Sequence, residues 1–97
     1  MTSRITEAAA TDLETIAAYI SSQSDPAVAR RVIDRIAACI TALAQFPAIG
    51  HFGVVDGAFE MVVPRLPFVI VYRTDGAHTS DTGLVVLRVY HCAQLRS

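Results

Sequence analysis

The sequence predicts an α+β fold: an N-terminal strand, an antiparallel helical hairpin, then a three-stranded antiparallel sheet, in the order β-α-α-β-β-β. Three observations carry that expectation. Apolar residues between positions 8 and 45 recur at helical steps, interrupted once at Asp25-Pro26. Residues 68–72, Phe-Val-Ile-Val-Tyr, are aliphatic or aromatic without a break, and all are types that favour a pleated surface. Residues 84–91 form a second, nearly continuous apolar run, broken by Arg88. With 97 residues, no internal repeats and no linker, the chain reads as a single domain, 1–97.

Arg4-Ile5-Thr6 is a short candidate first strand. From 8 to 22 the positions Ala9, Leu13, Ile16 and Ile20 step by four, three and four, which places them on one helix face. Thr6 suits the N-cap, and Glu7 and Asp12 set negative charge toward the positive end of the helix dipole. After Ser21-Ser-Gln-Ser24, Asp25 and Pro26 supply an N-cap and a first-turn proline, a strong start signal for a second helix running to about Gln45. Its predicted buried stripe is Ala29, Val32, Ile33, Ile36, Ile40 and Leu43, with Arg30, Arg31, Asp34 and Arg35 mainly on the solvated side. The short join makes the helices an antiparallel hairpin.

Phe46-Pro47-Ala48-Ile49-Gly50 ends the second helix, and residues 51–57 read as an irregular connection. A strand follows at 59–63, then the run at 68–72. That run is apolar in both phases, Phe68, Ile70 and Tyr72 in one and Val69 and Val71, continued by Arg73, in the other, which predicts the interior of a sheet closed by Thr74-Asp-Gly76. Pro64 and Pro67 precede it, where a missing N–H does least harm. Residues 74–83 are polar and contain glycine, the signature of a long hairpin loop. The last strand is 84–91.

Composition limits function. The chain is 53% hydrophobic, with mean hydropathy +0.43, yet no apolar run approaches the ~20 residues of a membrane helix. The N-terminus has no hydrophobic signal segment, so a cytoplasmic chain is expected. Surplus apolar surface on a small chain then points to a patch covered by a partner. Net charge is −1 and all eight basic residues are arginine, without the basic excess of a dedicated nucleic-acid binder. Cys39 and Cys92 have no metal-ligand spacing, so no metal or other cofactor is implied. Cys39 falls in the helical pattern as an inert core thiol.

Four stretches resemble the RelE/ParE superfamily of type II toxin–antitoxin toxins, its ParE branch above all. They are Ala9-x-x-Asp12-Leu13-x-x-Ile16-x-x-Tyr19-Ile20, Leu43-x-x-x-Pro47-x-Ile49-Gly50, Val62-Val63-Pro64-x-x-Pro67-Phe68-Val69-Ile70-Val71-Tyr72-Arg73, and Val86-Leu87-Arg88-Val89-x-His91. They span nearly the whole chain in the right order. The resemblance implies a RelE/ParE-like fold and a cognate, ParD-like antitoxin whose C-terminal part lies over an apolar groove and can add to the sheet. It implies one of two activities: inhibition of DNA gyrase by binding, without a catalytic centre or direct nucleic-acid contact, or ribosome-dependent cleavage of messenger RNA. A degenerate member that only binds its antitoxin is a third possibility.

Metal-free RNA cleavage needs a base, a proton donor and cations for the phosphorane. Ribosome-dependent members resembling this chain place lysines or a glutamate on the strand before the central one, an arginine in the central strand, and a His, Arg or Tyr group near the end of the sheet. Here Glu60, Arg88 and His91 are the candidates for base, phosphate clamp and acid. The central-strand arginine is replaced by Val69, and Phe59 stands where relatives often carry arginine. The gyrase-binding alternative is therefore preferred, with Arg65, Arg73, Arg88 and His91 as candidates for contact with target or antitoxin. The expected structural roles are a solvated strand side for Glu60, an ion pair for Arg88 with a carboxylate such as Glu60, and core positions with tethered hydroxyls for Tyr19 and Tyr72.

Overall fold

The computed structural model describes residues 3–46, 50–52, 57–75 and 83–92. Strand β1 (Ser3–Ile5) leads into helix α1 (Glu7–Gln23), followed by helix α2 (Pro26–Gln45) and strands β2 (His51–Phe52), β3 (Phe59–Val62), β4 (Phe68–Asp75) and β5 (Gly83–His91). The five strands form one sheet in the order β1-β5-β4-β3-β2. The run apolar in both phases is therefore the middle strand, as its pattern predicts. Neighbours are antiparallel except β1, which runs parallel to β5.

Both helix starts form as read. The Thr6 side chain accepts from the Ala9 N–H, and the Asp25 carboxylate accepts from the Ala27 N–H ahead of Pro26. Two expectations are corrected. His51 and Phe52 are not part of an irregular connection but a two-residue strand pairing with Glu60 and Phe59, too short to show periodicity. The central strand also extends past Arg73 to Asp75, because Thr74 and Asp75 still find ladder partners in Leu84 and Gly83. Gly83 already belongs to β5, and residues 76–82 of the expected loop and the chain beyond Cys92 lie outside the described residues.

The helical hairpin covers one sheet face. Ile36, Cys39, Ile40 and Leu43 of α2 pack with Phe68, Ile70, Tyr72, Leu84, Val86 and Val89, with Leu13, Ile16 and Ile20 of α1 against them. Each large side chain fully buried there is worth about 1.5–3 kcal/mol. The other face carries a smaller cluster, Ala58, Val69 and Val71 with Leu87, Tyr90 and Cys92, to which no helix residue contributes. The β4–β5 register shifts between Val71 and Tyr72, leaving Leu87 without a partner opposite, a bulge beside Arg88.

Tyr72 sits at the centre with no exposed surface. Its ring stacks on Phe59, centroids 5.7 Å apart, and its oxygen accepts a hydrogen bond from the Gly50 backbone. A Cβ at Gly50 would stand 2.1 Å from that oxygen and 2.9 Å from the Glu60 carbonyl. Glycine is there for close approach.

Candidate functional site

The outer edge of β5 shows how α1 is locked to the sheet. β1 pairs with it only from Leu84 to Val86. Beyond that, the Thr6 hydroxyl donates to the Leu87 carbonyl at 2.8 Å, and the Val89 N–H donates to an Asp12 oxygen at 2.9 Å. The Arg88 guanidinium grips the same carboxylate through Nε and Nη2 at 2.7 and 2.9 Å, and lies 4.7 Å from the centre of the Tyr90 ring. Partial burial pushes the Asp12 carboxyl up. The hydrogen bonds from Arg88 and Val89, with the Arg88 charge, outweigh it and hold the carboxyl below its ordinary value. Arg88 thus has the carboxylate partner expected of it, and that partner is Asp12 rather than Glu60. The bulge and the passing helix bring that carboxylate to the strand edge.

This geometry separates the three residues that could cleave RNA. Glu60 and Arg88 both pair across Val71, so they share a sheet face but stand two strand spacings apart, about 9.6 Å between backbones. Val69 and Val71, 5% and 4% exposed, occupy the space between their rows. His91 pairs with Phe68 and therefore faces the helices, its ring edge-on to Phe68 at 5.6 Å. The structure brings Arg88 to Asp12 and Tyr90, and leaves His91 on the far side.

What the helix side offers instead is a groove. Ile16, Tyr19 and Ile20 of α1, Val28 and Val32 of α2, and Leu66, Pro67, Phe68 and His91 enclose about 560 Å³. A smaller hollow bounded by Val28, Arg31, Val32, Arg35 and Leu66 continues it along α2. A third, about 520 Å³, extends it past Arg35 and Cys39 to Met61, Pro64 and Arg65. Tyr19, expected in the core, is 66% exposed at the groove's wall: it belongs to the helix face next to the apolar stripe, and its position four residues before Gln23 puts it near the turn that joins α1 to α2. Cys39 is buried as expected, and burial pushes its thiol up.

Arg65 borders the groove at the β3–β4 turn. The Leu66 N–H donates to the Val63 carbonyl at 3.1 Å, Pro64 occupies the first corner, and Arg65 takes φ 66° at the second. That is the pattern of a type II turn, in which the second corner favours glycine or asparagine. Arg73 lies elsewhere, on the helix-free sheet face opposite Val85. Arg4 of β1 pairs with the same Val85 from the other side. Among the described residues, no group of three or more His, Cys, Asp or Glu is arranged to hold a metal, and no helix is long and apolar enough to cross a membrane.

Comparison with known proteins agrees with this architecture. The profile of the family described as the ParE toxin of the type II toxin–antitoxin system, parDE, matches residues 4–96. The toxin candidate Y4kP of Sinorhizobium fredii is 40% identical over 82 residues, 84% of this chain and 78% of that protein. Among solved structures, a chain of the chromosomal ParDE system from P. aeruginosa superposes with TM-score 0.82 at 24% identity, covering 94% of this chain and 95% of that one. A chain of the RelBE2 toxin–antitoxin complex from Mycobacterium tuberculosis superposes with TM-score 0.62 at 26% identity, covering 93% and 95%.

Proposed function

The chain belongs to the ParE toxin family of type II toxin–antitoxin systems, and from that premise we propose that it acts in the cytoplasm by binding DNA gyrase, without a catalytic centre of its own. The observation that carries this reading is the commitment of Arg88. A phosphodiester-cleaving site needs a cation free to meet the phosphorane oxygens. Arg88 spends both donors facing α1 on Asp12, while His91 stands on the opposite sheet face from Glu60.

Neutralisation falls to a ParD-like antitoxin lying in the groove along α2. Support comes from the groove's apolar wall, the exposed Tyr19 and the toxin–antitoxin systems to which the superposed structures belong. From Val28 to Ala42 the groove follows about 21 Å of helix, enough for three to four turns of a partner helix. It ends at Met61 beside the outer edge of β3, where β2 pairs only with Phe59 and Glu60, so an extended segment can add there. Arg65 and His91 border the groove and are proposed antitoxin contacts. Arg73 and Arg88, on the other face, are proposed target contacts.

Induction of the chain alone tests the choice of target. Gyrase inhibition predicts filamentation, a DNA-damage response and intact transcripts, together with inhibited supercoiling by gyrase in the presence of purified chain. Codon-specific cuts across cellular messages would replace this reading with a ribosome-dependent nuclease. His91→Ala should leave toxicity in place.

A further inference from the structure

We propose that the stripe of α2 made by Val28, Arg31, Arg35, Ala38 and Ala42 selects the antitoxin by charge: it seats an amphipathic helix whose carboxylates, one turn apart, lie over Arg31 and Arg35. It rests on the reading of the groove as the antitoxin's seat and adds the chemistry that the occupant must carry. These positions step by three, four, three and four, so they share one face of the helix, with the spacing of a seam that a second helix buries. Arg31 and Arg35 line one hollow with Val28, Val32 and Leu66. Arg35 also lines the next, where Arg65 stands opposite on the β3–β4 turn. Ala38 is exposed and Ala42 half-buried, and side chains that short let a partner's backbone come close at that end.

Three guanidinium groups therefore border an apolar trough. Arg31, Arg35 and Arg65 are exposed, and none of them makes a hydrogen bond or ion pair among the described residues. No described aspartate or glutamate lines these hollows or the larger one at Tyr19. Asp34, three positions past Arg31, instead lines a hollow on the α1 side, with Ser21 and Arg30. Arg31 and Arg35 stand four apart on the helix, where like charges repel. About 6 Å of rise separates them, the spacing of carboxylates at i and i+4 on a helix lying alongside. Carboxylates set there replace the repulsion with two charge-assisted contacts, while the arginine stems add apolar cover to the trough. The apolar floor favours a protein over a phosphate backbone, and a net charge of −1 lacks the broad basic footprint that nucleic-acid affinity draws on.

The test is binding of the purified cognate antitoxin to the full chain, followed by biolayer interferometry at low and high salt. Arg31→Glu/Arg35→Glu should weaken binding by about tenfold or more at low salt, chiefly through slower association. At high salt the gap from the parent should narrow to about threefold or less. Arg30→Glu, on the α1 side of the same helix, should stay within about threefold throughout. Arg31→Gln/Arg35→Gln, which adds no negative charge, serves if the reversal fails to fold, and should weaken binding by about threefold or more at low salt. A smaller loss, an equal loss from Arg30→Glu, or a gap that does not change with salt overturns the proposal. Other occupants are scored alongside. If the chain alone dimerises, or binds a labelled DNA duplex, and the reversal abolishes either, the stripe belongs to that occupant and the proposal falls. Tyr19→Arg separates this inference from the reading beneath it. If Tyr19→Arg weakens antitoxin binding and the arginine reversal does not, the groove stands and its charge selection is lost; if neither does, the groove is not the seat.

Discussion

Asp12 and Arg88, 76 positions apart, are joined by two hydrogen bonds, and the same carboxylate accepts the Val89 N–H. One residue of α1 thus neutralises an arginine inside an apolar strand and closes the β5 edge where β1 stops. The two functions can be separated by mutation. Arg88 is 42% exposed and Asp12 15%, so the ion pair is partly screened and Arg88→Ala should cost only about 1 kcal/mol. Asp12→Ala also strands a backbone donor and should cost about 1.5–3 kcal/mol. Urea denaturation distinguishes them; equal losses would mean that the edge cap contributes nothing.

The pH dependence of the same contact has a defined sign. The folded Asp12 carboxyl lies below its ordinary value, so its contribution is fully present above the unfolded carboxylate pKa of about 3.9. It is lost as pH falls through the lowered folded value. The stability gap between the parent chain and Asp12→Asn should therefore be flat from neutral pH down to about 4 and shrink below it. A gap that widens in acid would contradict the assignment.

How far the sequence could be read follows from the range of each interaction. Asp25-Pro26 and the stepping of Ala9, Leu13, Ile16 and Ile20 are local signals, and both helices form where they indicate. The 68–72 run announces a central strand because a strand between two neighbours and two packed faces has no polar phase. The parallel docking of β1 on β5 has no local signature at three residues. Arg88 signals that it needs a carboxylate, but nothing in periodicity chooses Asp12 over Glu60; the bulge at Leu87 and the path of α1 decide it. Tyr19 was misplaced for a related reason: its helical position borders the stripe, and only the splay of hairpin and sheet turns that border into the wall of a groove. The relation of Arg4 to Arg73 has no local signature, because it exists only through Val85.

Gly50 offers a test of close packing. An added methyl would meet both the Tyr72 oxygen at 2.1 Å and its ring carbon at 2.8 Å, in a region with no slack around a fully buried ring. Gly50→Ala should cost about 1–3 kcal/mol by overpacking. Adding Tyr72→Phe removes the oxygen but not the ring carbon, so recovery should be partial. Thermal melts of the two variants check this, and complete recovery would place the conflict at the hydroxyl alone.

Tyr19 separates binding from folding. At 66% exposure its replacement by arginine should change stability by no more than about 0.5 kcal/mol. The same change puts a charge on the wall of the apolar groove. Affinity for the antitoxin, measured by calorimetry on the purified pair, should fall by about tenfold or more. An unchanged affinity would move the antitoxin off this groove.

Arg65 holds a left-handed conformation that costs a residue with a Cβ about 1–2 kcal/mol and glycine almost nothing. Glycine returns about 0.5–1 kcal/mol of that through the extra freedom of the unfolded chain. Arg65→Gly should therefore stabilise the isolated chain by about 0.5–1 kcal/mol. Strain kept at a turn beside a binding groove points to a role for the side chain, and Arg65 shares its hollow with Arg35. The stabilised variant should accordingly bind antitoxin more weakly, with the loss greatest at low salt because a guanidinium contact is screened by ions. Denaturation and calorimetry on the one variant read both effects. If it is more stable and binds as well as the parent, Arg65 is turn geometry alone, and the cationic end of the groove belongs to Arg31 and Arg35.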